Sequence, residues 1–133
     1  MHPWPDVLQS CRQKDTVINE GMPGRTASGS EKTLALLLKR NMPDLTIIML
    51  GSNDLSRDSG RNIPEVLKDL ENDGEEADGY GKVVLLAPPE ISEEVDPGWN
   101  YQPGISLIMK DLAREISVLC KKHAWDSSIH RMS

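Results

Sequence analysis

Six residues near the middle of the chain, Leu45-Thr46-Ile47-Ile48-Met49-Leu50, limit the fold more than any other feature. They are apolar without alternation, so a strand built from them must be covered on both faces, as in a parallel sheet between two layers of helices. Lys82 to Ala87 repeats the pattern, and Thr16-Val17-Ile18 is a shorter β-branched run. Amphipathic helices are expected between them. One runs from Pro5 to about Lys14, one from about Gly29 to Asn41 with Ser28 and Glu31 as a capping box, and one starts at Pro64. A last helix opened by Pro103 carries Ile105, Ile108, Met109, Leu112, Ile116 and Leu119 to about Lys122. The acidic segment from Asn72 to Gly81 reads as a solvated connection.

Length and charge narrow the function classes. A chain of 133 residues suits one domain, residues 1–133, with a single core. Its net charge is −6 and no Lys/Arg cluster supplies the basic face that phosphates require, which argues against a nucleic-acid partner. No apolar run approaches the ~20 residues that cross a bilayer. The start, Met1-His2-Pro3-Trp4-Pro5, does not resemble a signal peptide, so a cytoplasmic location is expected. Two cysteines, Cys11 and Cys120, are too few for a disulfide framework or a metal site, and each is expected on an apolar helix face. With no Phe, the core should be aliphatic. No cofactor is expected.

In an open parallel sheet, ligands bind beyond the carboxyl ends of the strands. The residues there are Asn19-Glu20-Gly21-Met22-Pro23-Gly24-Arg25-Thr26, Gly51-Ser52-Asn53-Asp54 and Pro88-Pro89-Glu90-Ile91. Gly24 can bring its backbone N–H close to a ligand, and Asn53 offers a side-chain amide. Together they could hold a developing oxyanion, which needs preorganised donors rather than full charge. Each turn alone could equally be structural, since Gly-rich and Asn-Asp turns are common after strands.

Taken in tandem, the two turns resemble the SGNH hydrolases, the GDSL-like esterase and lipase family. Val17 to Thr26 looks like that family's second block and Ile47 to Asp54 like its third, G-x-N-D, while Leu85-Leu86-Ala87-Pro88-Pro89 is similar to a later strand and turn. The resemblance covers residues 4–122. It implies a three-layer α/β/α sandwich of flavodoxin-like type, a small ester as substrate, and Gly24 and Asn53 as the oxyanion hole.

The sequence also departs from that pattern. The family's first block, Gly-Asp-Ser, ends the first strand and carries the nucleophile, and this chain has neither block nor strand. A domain truncated at its amino end and shortened at its carboxyl end is therefore expected. In a sheet ordered 2-1-3-4-5 that strand is central, so its loss leaves apolar strand edges that invite association with a second copy. The family's general base and its orienting Asp, spaced D-x-x-H, map to His130 and Asp126, but Asp126-Ser127-Ser128-Ile129-His130 has one residue too many. An exposed tail histidine is the competing account of His130. His2 and His123 have weaker claims. Ser52, Ser28 and Ser10 have no assignable base that would make them nucleophiles. The acidic run Glu71, Asp73, Glu75, Glu76 and Asp78 lacks the ligand pattern of a calcium loop.

Two functions follow. The first is an ester hydrolase of impaired activity, its attacking serine absent. The second is a non-catalytic module that binds a small ester or acyl group in the same crevice. An unrelated flavodoxin-like or response-regulator domain is disfavoured, because no acidic cluster follows the first strand and no cofactor loop is visible.

Overall fold

The computed structural model describes residues 4–21, 25–55, 61–89 and 104–128. Its elements in chain order are α1 (Trp4–Cys11), α2 (Ser30–Asn41), β1 (Leu45–Ile48), α3 (Ser52–Leu55), α4 (Ile63–Asp78), β2 (Lys82–Leu85) and α5 (Ile105–His123). β1 and β2 pair in parallel, with Leu45 opposite Lys82 and Ile48 opposite Leu85. On its far side β2 meets one further residue: the Leu85 N–H donates to the Asp126 carbonyl at 2.9 Å, and the Asp126 N–H to the Val83 carbonyl at 3.2 Å. β2 is thus flanked on both edges, and Val83, Val84 and Leu85 are all buried. The result is the expected α/β class, with a small parallel sheet packed among helices.

The core is aliphatic as expected, built from residues such as Leu38, Val66, Leu70, Leu85, Met109, Leu112 and Ile116, with Trp125 as its one aromatic among the described residues. α5 buries the foreseen stripe, Ile105, Met109, Leu112 and Ile116, and adds Cys120. Cys11, by contrast, is exposed. α1 ends at Cys11, too short to turn that side chain onto a core.

Three local expectations are overturned. Thr16-Val17-Ile18 forms no strand; the Val17 N–H instead donates to the Gln9 side-chain oxygen at 2.7 Å. A strand is defined by its neighbour, and among the described residues no backbone group pairs with this run. The start of α2 is not a Ser28 capping box either. Its N-cap is Gly29 in the left-handed region, with φ 70°, and no side chain caps it. The segment Asn72 to Asp78 is not a solvated connection but the second half of α4, with Asp73, Gly74 and Ala77 buried. Gly74 is required there, because a Cβ would overlap the Trp125 ring. At the opposite end of α4 the Asn62 side chain accepts from the Glu65 N–H at 3.0 Å, and Pro64 sits in the first turn, a capping arrangement that starts the helix where expected.

Candidate active site

The site is built at the carboxyl end of β1. Gly51, three residues past that strand, has φ +123°, a region open to glycine, and a Cβ there would press on Leu112 and Val66 at 3.1 and 3.3 Å. The chain can therefore turn sharply and wind into α3, a short helix. α3 presents Asn53 outward and Asp54 inward.

Both side chains reach the turn that precedes α2. The Asn53 Nδ2 donates to the Arg25 carbonyl at 3.0 Å. Asp54, 1% exposed, accepts from the Ala27 N–H at 2.8 Å and the Ser28 N–H at 3.3 Å. Arg61 faces the same carboxylate at 3.5 Å and also pairs with Glu65 and Asp69. Two turns 28 residues apart are thus drawn together by adjacent side chains. Asp54 thus anchors the turn ahead of α2, since Ala27 and Ser28 precede the N-cap Gly29. Its signal in the sequence, a single Asp beside Asn53, is indistinguishable from an ordinary turn former.

Gly24 and His130 lie outside the described residues. Arg25, the chain neighbour of Gly24, is the residue that Asn53 holds. An amide nitrogen carries two hydrogens, so Asn53 keeps one donor after binding Arg25. The Arg25 guanidinium bends back to the Glu20 carbonyl at 2.8 Å. The Glu20 carboxylate accepts from Asn41 at 2.9 Å and pairs with Arg40, and these contacts hold it below the usual carboxylate range.

Asp126 sits elsewhere. Its backbone is joined to β2 level with Val84, and it lines a cavity with Gly81 and Lys82 at the amino end of that strand. Asn53 lines a different cavity. His123 accompanies Glu71 at 2.6 Å, with Lys122 on the same carboxylate at 2.9 Å and the Trp125 ring stacked on the imidazole at 4.1 Å. Glu71, Glu75 and His123 have ligating atoms within 4.8 Å of one another, at a helix corner away from β1. The Glu71 carboxylate already pairs with Lys122 and hydrogen-bonds the His123 ring.

A second buried polar pair underlies α2. The Ser30 hydroxyl lies 2.5 Å from Asp73 Oδ2 and 2.8 Å from the Ala27 carbonyl. One hydroxyl hydrogen cannot serve both. Burial raises the Asp73 pKa to about 6, helped by the nearby charges of Asp69, Glu31 and Glu76. Protonated Asp73 can donate to Ser30 Oγ while Ser30 donates to Ala27, which resolves the conflict over the one hydroxyl hydrogen.

The described residues thus bring Asn53, after β1, against the turn that precedes α2. Residues 3–127 match the family model of the GDSL-like lipase/acylhydrolases, and the chain belongs to that family. A lipolytic protein of the G-D-S-L family from Veillonella parvula superposes with a TM-score of 0.77 at 19% identity, over 93% of this chain and 64% of that one. A carbohydrate acetylesterase from Sinorhizobium meliloti gives 0.73 at 25% identity, over 84% and 61%. A lipase/acylhydrolase from Enterococcus faecalis gives 0.69 at 27%, over 84% and 54%. The chain therefore spans about three-fifths of the length of these structures. No curated protein gives a significant sequence match.

Proposed function

We propose that the turn at Gly24 and the side chain of Asn53 form the oxyanion-binding half of an ester hydrolase site, for carboxylic or acetyl esters. The observation that carries this reading is the 3.0 Å hydrogen bond from Asn53 to the carbonyl of Arg25, the residue that follows Gly24 in the chain. A hydroxyl attacking an ester carbonyl turns its oxygen into an oxyanion, and donors already in place stabilise that charge without reorganising. Family membership and acetylesterases among structures of the same fold support the substrate class.

The chain holds no Gly-Asp-Ser block, so the attacking serine of the resemblance is missing. Asp126 takes no part in this reading, because its backbone is tied to β2 and its side chain lines another cavity. Hydrolysis of p-nitrophenyl acetate by the purified chain should be slow, and Asn53→Ala should cut what remains by about tenfold or more. Turnover that is undiminished in Asn53→Ala would contradict the reading. The absent serine block also favours a second reading, a module that binds a small ester or acyl group without cleaving it. A fluorophosphonate probe separates the two: labelling of a serine identifies an enzyme, and no labelling favours the binding module.

A further inference from the structure

We propose that Glu71, Glu75 and His123 form a binding site for one divalent transition-metal ion of the zinc type, placed where α4 meets the end of α5. This goes beyond the ester reading and does not rest on it.

Two helices supply the three ligands. Glu71 and Glu75 lie one turn apart on α4, so their carboxylates leave the same face. His123 is the last residue of α5. One ligand atom from each of the three lies within 4.8 Å of the other two. His123 Nε2 is 2.6 Å from Glu71 Oε2 and 4.0 Å from Glu75 Oε1. Around a tetrahedral zinc, whose bonds to nitrogen and oxygen run about 2.0–2.2 Å, donor atoms sit roughly 3.3–3.6 Å apart. Both His123 contacts are within ~1 Å of that spacing. The flexible Glu75 side chain, exposed on α4, can close the rest.

The imidazole is held ready. A metal-ligating histidine needs its ring fixed so that one nitrogen faces the ion. Here the Trp125 ring stacks on the imidazole, with centroids 4.1 Å apart and planes 11° from parallel. Trp125 in turn rests on Gly74, where a Cβ would come within 2.4 Å of the ring. Gly74 lies on α4 between the two glutamates. The helix that carries the carboxylates therefore also seats the ring that aims the histidine at them. The turn that makes this possible is at Ala124, in the left-handed region with φ 57°, after which Trp125 folds back against His123.

The ligand set selects the ion. His123 Nε2 and Glu71 Oε2 are at hydrogen-bond distance, and a metal ion would take the place of the hydrogen between them. An imidazole with two carboxylates suits zinc, cobalt or nickel better than magnesium or calcium, which favour oxygen alone. Three protein ligands leave one position for water. A groove bordered by His123, Trp125, Asp126 and Lys82 gives ion and water a way in. The competitor is Lys122, whose ammonium is 2.9 Å from the same Glu71 oxygen. That side chain is exposed, so it can swing into solvent when the ion arrives. The bound ion would clamp α4 to the end of α5.

The probe is zinc chloride, titrated into the whole chain by calorimetry and followed in the proton–nitrogen correlation spectrum of the histidine rings. The chain has three of these, His2, His123 and His130, so the spectrum reports which one the ion meets. One ion per chain is expected to move the His123 Nε2 signal and to raise the melting temperature. His123→Ala should remove the site. Glu75→Gln, an exposed change that spares the fold, should weaken it by about tenfold or more. Lys122→Ala, which frees Glu71, should tighten it several-fold. Zinc that moves only the His2 or His130 signal, an affinity unchanged by Glu75→Gln, or no binding at all would reduce the cluster to an ion-pair network and overturn the proposal. None of these outcomes involves Asn53, so failure here leaves the oxyanion reading standing.

Discussion

Single carboxylates hold this fold at its most polar points, and two of them do so in opposite ways. Asp54 is buried and held by two backbone N–H groups and Arg61. Its replacement by Ala leaves two turn donors without their partner and a guanidinium with one fewer counter-charge. Asp54→Ala should therefore cost about 2–4 kcal/mol in urea unfolding, and the loss should appear in the Asn53 turn as well. A cost below about 0.5 kcal/mol would deny the carboxylate its role. Asp73 is buried and better off neutral. Its folded pKa, about 6, lies above the ordinary 3.8, so between those values the folded state binds more protons than the unfolded chain. Stability from this group is then fully present below about pH 4 and lost as the pH rises through 6. Asp73→Asn should stabilise the protein at pH 7 on the order of 2 kcal/mol, and the gain over wild type should vanish near pH 3.5 in paired thermal melts. A variant no more stable than wild type at pH 7 would mean that the carboxylate is not ionised at a cost.

At the scale of elements, α4 shows how tertiary contact overrides local pattern. Its second half contains Asn72, Asp73 and Gly74, residues that favour turns, in a run of acidic side chains. They are helical because Gly74 lies under the Trp125 ring and Asp73 under Ser30. Gly74→Val should destabilise by about 1–3 kcal/mol through overpacking, whereas the same substitution in a Trp125→Ala background should cost less. Additive losses in this double-mutant cycle would show that the ring does not demand the glycine. The legible parts of the chain follow the same logic in reverse. β1, β2 and α5 were readable because continuous apolar runs and a 3.6-residue stripe are properties of the segment itself. The run Thr16-Val17-Ile18 was misread because β structure is a property of a pair. The convergence of the Asn53 and Arg25 turns was expected from the tandem blocks, but the anchoring role of Asp54 was not. An Asp that bonds 27 residues away has no local signature.

The whole molecule combines a well-packed half and an open one. β2, α4 and α5 enclose an aliphatic core around Trp125, while β1 faces a cavity across from the segment 16–21. Asn53, one of the two proposed oxyanion donors, lines that cavity together with Arg25. The joint action of the two donors is the central claim, and it can be observed without any turnover. Isotope-labelled protein can be titrated with methylphosphonate, an anion with tetrahedral oxygens, while the Asn53 side-chain amide and the Gly24 backbone amide are followed by NMR. Both signals should move with a single dissociation constant, and Asn53→Ala should abolish the Gly24 shift. Movement of only one signal, or two signals with unrelated affinities, would contradict it.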